Sequence, residues 1–205
     1  MSYHHGNLRE KLLERAAHVI AEDGIESLSL RALARDLGVS HAAPSRHFAD
    51  KADLLRALAT EGSERFIAYI MASADEAKDD PLERYAAMGK AYIRFSLTYP
   101  AYYRAINHPD VAAHADRRLN ESVERRRQVI FDAARAAQAA GWLPDERTED
   151  VMMFSIATVR GAAASLADPL HGPRETDGTT DDLIERIVRL IIDPAAPQKS
   201  RGRKD

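Results

Sequence analysis

The chain has 205 residues, 45% of them apolar, with 29 Lys and Arg set against 32 Asp and Glu for a formal net charge of −3. That length and apolar fraction suffice for one small domain and one larger one, and the balanced charge gives no support for polyanion binding by bulk basicity. With no cysteine present, disulfides and thiolate metal sites are excluded.

The opening residues, MSYHHGNLRE, hold no apolar run of signal-peptide type, and no segment has eighteen uninterrupted apolar residues. A cytoplasmic chain with no membrane partner is expected. Asn7 and Glu10 have the spacing of a capping box, opening a helix through Glu22 with Leu8, Leu12, Ala16, Val19 and Ile20 on one face. Gly24 ends it. The stretch that follows, SLRALARDLGVSHAAPSRHFADK from Ser29 to Lys51, reads as two short helices around a glycine turn, then a third helix start. Ser29 caps a helix whose Leu30, Leu33, Ala34 and Leu37 share an apolar face, and Gly38 supplies the positive φ of a tight turn. Val39 tucks inward, and Ser40 caps the next helix, His41 to Phe48. That helix is too short and too polar outside to be fully buried, so His41, Ala42, Ser45 and Arg46 face outward, where contacts to bases and phosphates arise. Pro44, at its fourth position, removes one early hydrogen bond and predicts a short, slightly distorted helix. Leu13, Leu28, Leu33 and Phe48 form the expected core of this three-helix head.

Read in order, Gly38, Val39, Ser40, His47, Phe48 and Lys51 resemble the N-terminal signature of the TetR family of bacterial transcriptional regulators, across about residues 7 to 56. The resemblance implies a helix-turn-helix DNA-binding domain over residues 1–50. Its contacts to a double-stranded DNA operator are assigned to Ser29, Arg31, Ser40, His41, Ala42, Ser45, Arg46, His47 and Lys51. One departure stands out: Ser45 occupies the place where the family has a tyrosine touching a phosphate. Residues 1–56 hold eight Lys or Arg and eight Asp or Glu, so charge placement must carry binding rather than charge total. Arg31, Arg46 and Lys51 fall on the outward side of the motif, whereas Glu10, Glu14, Glu22 and Asp23 belong to the preceding helix. A lysine at a helix start opposes the helix dipole, a cost that a phosphate at Lys51 would offset. His4 and His5 read as a flexible start, with a minor-groove arm as the alternative.

Asp50 caps a long helix from Lys51 to about Ala72. Asp80 caps another that begins at Pro81, in which Tyr85, Met88, Tyr92, Phe95 and Tyr99 recur at steps of three and four until Pro100. A short helix from Ala101 to Ile106 and a turn at Asn107, His108 and Pro109 lead to one long helix from about Asp110 to Ala140. Gly141 closes it with a left-handed cap, placing Trp142 and Leu143 back on its last turn. The next helix, about Thr148 to Ala167, turns at Gly161 into a run of small residues that lets another backbone come close. After a Pro/Gly-rich loop from Asp168 to Thr179, a last helix from Asp181 to Ile192 is apolar on more than one face. It therefore needs two partners, its own domain and a second copy of the chain. The homodimer interface is assigned to Gly161, Ser165, Leu183, Ile187 and Ile191. Residues 194–205 read as a disordered basic tail.

The aromatic stripe has two readings. It is ordinary core, or it lines an inducer pocket of the kind the family holds in its C-terminal domain, with Tyr69, Met88, Tyr92, Phe95, Tyr99 and Tyr103 as the ligand-binding set. His108, Asp110 and His114 suggest a metal, but no second acid and histidine pair at helical spacing lies nearby, so they are read as solvated. Arg125, Arg126 and Arg127 are read as a solvated face paired with Glu121 and Glu124. No catalytic residue, metal or cofactor is assigned. The expected fold is all-α: an N-terminal three-helix head with a helix-turn-helix, joined by a long helix to a larger helical ligand-binding and dimerisation domain over residues 51–193. The expected function is a ligand-responsive repressor that binds a palindromic operator as a homodimer at the nucleoid. The alternatives are a ligand-independent DNA-binding regulator and, with no Glu-x-x-His pair or Gly-rich phosphate loop to support it, a helical metal-binding enzyme.

Overall fold

The computed structural model describes residues 8–77, 79–168 and 178–193. His4, His5, Asn7, most of the Pro/Gly-rich loop and the basic tail lie outside the described residues. Those described are all-α, with nine α-helices, two short 3-10 turns and no strand. The helices are α1 (Leu8–Asp23), α2 (Leu30–Asp36), α3 (Lys51–Glu76), α4 (Pro81–Thr98), α5 (Pro100–Ile106), α6 (Pro109–Ala113), α7 (Arg117–Ala139), α8 (Thr148–Ala167) and α9 (Thr180–Ile192).

Of the described residues, those up to Met71 and Arg94–Ile130 form one compact unit, and Ala72–Ile93 with those from Phe131 onward form another. In the first unit α1 packs on α2 and on α5. Its head is held by Leu12, Leu13, Ala16, Ile20, Leu28, Leu33, Ala34 and Phe48, all buried. The four residues expected there from the sequence are among them, and burying each such side chain is worth about 1.5–3 kcal/mol. Gly24 and Gly38 take φ values of 84° and 65° where α1 and α2 end. Asp50 caps α3 by accepting from the Asp53 amide at 2.7 Å. The helix then runs past Ala72, the end its apolar pattern suggests, to Glu76.

The second unit is closed by two local devices. Where α7 ends, Gly141 (φ 104°) donates to the Gln138 carbonyl at 2.9 Å and Trp142 to the Ala137 carbonyl at 3.1 Å, the paired bonds of a glycine cap. Trp142 is buried against Tyr85 with ring centroids 5.4 Å apart, whereas Leu143, expected to fold back with it, takes φ 48° and stays exposed. The buried Gln138 side chain instead holds this turn: it donates to the carbonyls of Leu143 and Glu146 and accepts from the Thr148 hydroxyl at 2.7 Å. At α9, Thr179 and Asp182 form a reciprocal capping box at 3.0 and 3.1 Å.

Three expected elements differ. The single helix from Asp110 to Ala140 is two, α6 and α7, because Asp116 accepts from the Leu119 amide at 2.8 Å and starts a new helix. Ser29 precedes α2 with extended backbone, but its side chain makes no capping bond. Finally, the helix expected from His41 to Phe48 is a 3-10 turn at Pro44–Arg46 alone.

Candidate DNA-contacting surface

The end of α2 sets the geometry of the surface. Gly38 donates to the Arg35 carbonyl at 3.1 Å and Val39 to the Ala34 carbonyl at 3.0 Å, a glycine cap that a side chain at position 38 would strain. The Ser40 carbonyl then accepts from Ala43 at 2.9 Å, and the Pro44 carbonyl accepts from both His47 and Phe48 at 2.9 and 3.0 Å. Pro44 has no amide hydrogen to give to Ser40, so the α-helical bond at this step cannot form and the turn closes with three-residue bonds from Ala43, Arg46 and His47, Phe48 alone adding a four-residue one. Pro44 and Phe48 are both buried and anchor the turn, leaving Ser45 and Arg46 exposed between them. The Arg9 guanidinium lies 5.3 Å from the centroid of the Phe48 ring, a cation–π contact that the sequence pattern did not disclose.

Of the nine residues assigned to DNA from the sequence, Ser29, Arg31, Ser40, His41, Ala42, Ser45 and Arg46 are exposed, while His47 and Lys51 are half-buried. Pairing separates the cations further. Asp36 takes up Arg15 at 2.9 Å and lies 3.8 Å from Arg35, and Asp53 lies 3.4 Å from Arg56. Lys51 donates to the Glu26 carbonyl at 3.3 Å, with the Glu26 carboxylate 3.9 Å away. A partner inside the head therefore offsets the cost of a lysine at a helix start, and no phosphate is required for that purpose. Arg31 and Arg46 make no ion pair among the described residues. Arg15, Arg35, Lys51 and Arg56 thus each have an acid partner within the described residues, whereas Arg31 and Arg46 are exposed guanidiniums without one.

The residues assigned to a ligand fall into both units. Tyr69, Phe95 and Tyr99 come together in the first, with ring centroids 5.2 to 5.9 Å apart, and Phe66 joins them edge-on to Phe95 at 5.2 Å. Phe95 has no exposed surface. Phe66 escaped the sequence reading, although it stands three residues before Tyr69 on the same helix. Tyr103 is half-buried; in the second unit Met88 is buried and Tyr92 half-buried. Burial pushes the Tyr85 hydroxyl pKa up, against the opposing effect of the neighbouring Ser155 hydroxyl. A separate polar cavity of about 190 Å³ in the first unit is lined by Arg9, Asp53, Thr60, Glu61, Glu64 and Arg118, among others. Glu61 also accepts from the buried Tyr102 hydroxyl at 2.9 Å and from Arg65 at 2.9 Å. Burial first, then this bond, pushes the Tyr102 pKa up to about 12, while the Glu61 hydrogen bond raises that of Arg65.

On α8 and α9, which pack together, Met153, Phe154 and Leu190 are 66%, 57% and 58% exposed. Gly161 and Ser165 are exposed too, and Leu183 and Ile187 half-buried. Ile191 is packed within its own unit: Ile184, Val188 and Ile191 recur at steps of four and three on one buried face.

Residues 12–58 match the family described as bacterial regulatory proteins, tetR family, and residues 85–191 match the tetracyclin repressor-like C-terminal domain. A solved structure of a protein of unknown function from Rhodococcus sp. RHA1 is 34% identical, with a TM-score of 0.79 over 95% of this chain and 96% of that one. The fatty acid degradation regulator FadR from Bacillus halodurans shares the fold at 16% identity, with a TM-score of 0.74 over 94% of this chain and 98% of that one. The nucleoid occlusion factor SlmA of Vibrio vulnificus is 30% identical over 127 residues, 62% of each chain. The chain thus spans less than two thirds of that relative's length.

Proposed function

The chain belongs to the TetR family and is a DNA-binding transcriptional regulator, and from that premise we propose that it is a repressor that binds a palindromic operator as a homodimer. The head over residues 1–50 reads the site, and residues 51–193 carry dimerisation and effector response. Two heads placed about 34 to 36 Å apart enter successive major grooves on one side of the duplex. The observation that carries this reading is the state of Arg31 and Arg46, exposed and without an acid partner among the described residues, with Arg46 in a turn pinned by Pro44 and Phe48. Arg46 supplies a base or phosphate contact, Arg31 a phosphate contact, and His41 and Ser45 hydrogen bonds from the rim. Ser29, Ser40, Ala42, His47 and Lys51 complete the contact surface, with Lys51 exchanging Glu26 for a phosphate.

The homodimer face is α8 with α9. Of the described helices, α8 alone is long and apolar enough by composition to cross a membrane, yet only 28% of its apolar window is buried. We read that outward apolarity as the second partner's share, met by Phe154, Met153, Gly161 and Leu190 of each copy. An inducer site among the first unit's Tyr69, Phe95, Tyr99 and Tyr103 makes repression ligand-responsive. The complete burial of Phe95 among three other rings favours a second reading in which these aromatics are core and the regulator answers to no small molecule.

Selecting fragments of the source organism's genomic DNA on the full-length protein tests the proposal. It predicts recovery of a two-fold symmetric site upstream of a gene. Recovery of fragments with no shared site overturns it.

A further inference from the structure

The last turn of α1 holds Glu22 and Asp23 and no basic residue. Acids at a helix C-terminus sit at the negative end of its dipole, beside carbonyls that have no partner within the helix. The compensating cation comes from α5, 84 positions later: Arg104 donates through Nη1 to the Ile20 carbonyl and, at 3.2 Å, to the Ala21 carbonyl. The end of the head's first helix is thus capped by a residue outside the head.

The helix that supplies this cap is itself held fast. It crosses α3 at Gly62, where an added Cβ would lie 3.0 Å from Ile106 Cγ2 and 3.2 Å from Tyr102 Cβ, so any larger residue there would have to push α5 side chains aside. Tyr102 donates to Glu61 at 2.9 Å, and the Arg65 guanidinium lies 4.9 Å from the centroid of its ring. A seven-residue helix is therefore seated on α3 along one face while Arg104 grips α1 with two bonds from one charged group.

We propose that Arg104 is a positioning residue for DNA binding: by tying the C-terminal carbonyls of α1 to α5, which Gly62 and Tyr102 seat on α3, it fixes the stance of the head. Arg104 touches no DNA in this role. Its effect is to narrow the range of orientations the head samples before binding, so that two heads in a dimer match one half-site spacing well and others badly. This inference rests on the reading of a homodimer on a two-fold site.

The test uses full-length protein and the duplex recovered by genomic selection, together with versions whose half-sites are one or two base pairs closer or further apart. Wild-type protein is expected to prefer the native spacing. Arg104→Ala is expected to reduce that preference by about fivefold or more, the low end of ordinary coupling between sites, while leaving affinity for an isolated half-site unchanged. Gly62→Ala, which crowds Ile106 and Tyr102 of α5 with Arg104 intact, is expected to flatten the profile in the same direction, and Arg104→Lys, which keeps a cation, to give an intermediate one. A simple loss of stability would lower affinity at every spacing alike and leave the ratio between spacings at the wild-type value. An unchanged spacing profile in folded Arg104→Ala and Gly62→Ala overturns the positioning role. Wild-type protein that is indifferent to spacing overturns the two-fold reading itself, and the inference with it.

Discussion

The carbonyl oxygen of Ser40 accepts its hydrogen bond from Ala43, 2.9 Å away, because the next residue along, which would give the α-helical bond, is Pro44. One missing amide hydrogen therefore replaces the expected recognition helix with a single 3-10 turn, and His41 and Ala42 lie on its approach rather than on a helix face. The turn persists because Pro44 is also a core residue, buried beneath the exposed Ser45 and Arg46.

Pro44→Ala separates those two roles. It restores a donor for Ser40 and permits a longer helix, but it removes the buried ring and widens the conformational freedom of the unfolded chain. The net expectation is a loss of about 1 kcal/mol in urea unfolding together with a gain in helical circular dichroism. Unchanged dichroism would show that the tight turn is set by neighbours of Pro44 instead.

Ser45→Tyr places a phenol on an exposed position beside Arg46. The added group is neutral, so operator affinity should rise while the dependence of affinity on salt stays the same. Binding measured across a salt series distinguishes this from a charge effect. No gain at any salt would mean that the 3-10 geometry aims this position away from the DNA backbone.

Tyr102 gives the first unit a defined alkaline limit. Its pKa is raised from 10.0 to about 12 in the folded chain, so folding favours the protonated phenol. The stability it contributes is complete below the unfolded value and is lost as pH rises through the folded one. Wild-type protein should therefore lose more stability than Tyr102→Phe as pH climbs from 10.0 to about 12. Parallel stability curves for the two proteins would contradict the assignment.

Much of the fold is readable from residue order, for reasons that can be traced. Leu12, Ala16 and Ile20 on α1 and Leu33 and Ala34 on α2 are buried as helical spacing requires, and Gly38 takes the positive φ that a glycine between two apolar faces indicates. Local chemistry of this kind is written in neighbouring residues. The features that are not readable depend on residues distant in sequence. Arg104 capping α1, Arg9 over Phe48 and Glu26 beneath Lys51 each join positions that no local pattern links. The break between α6 and α7 escapes the pattern because Asp116 reads as one more helical residue until its carboxylate is seen on the Leu119 amide. Ile191 is assigned to a partner copy from the sequence because a helix apolar on more than one face does not say which face its own domain takes.

The exposed face of α8 makes its own prediction. Phe154 is 57% exposed and lies off the row of buried positions, Val151, Ser155 and Val159, that face inward at helical spacing. Phe154→Arg should leave the helical dichroism of the folded chain at the wild-type value, as expected for a position exposed within its own unit, while sedimentation shows the dimer giving way to monomer and apparent stability falls only by the association energy lost. A dimer that survives the substitution would place the interface on another face.

The most direct test of the account is the salt dependence of operator binding for wild-type protein, Arg31→Ala and Arg46→Ala. If these two unpaired guanidiniums meet the DNA, removing one that neutralises a phosphate lowers the slope of log affinity against log salt by about 0.9 for each phosphate left without its cation. Removing one that meets a base instead relaxes sequence preference at one position of each half-site. Variants that match wild-type protein in slope, affinity and sequence preference would contradict the assignment of DNA binding to Arg31 and Arg46.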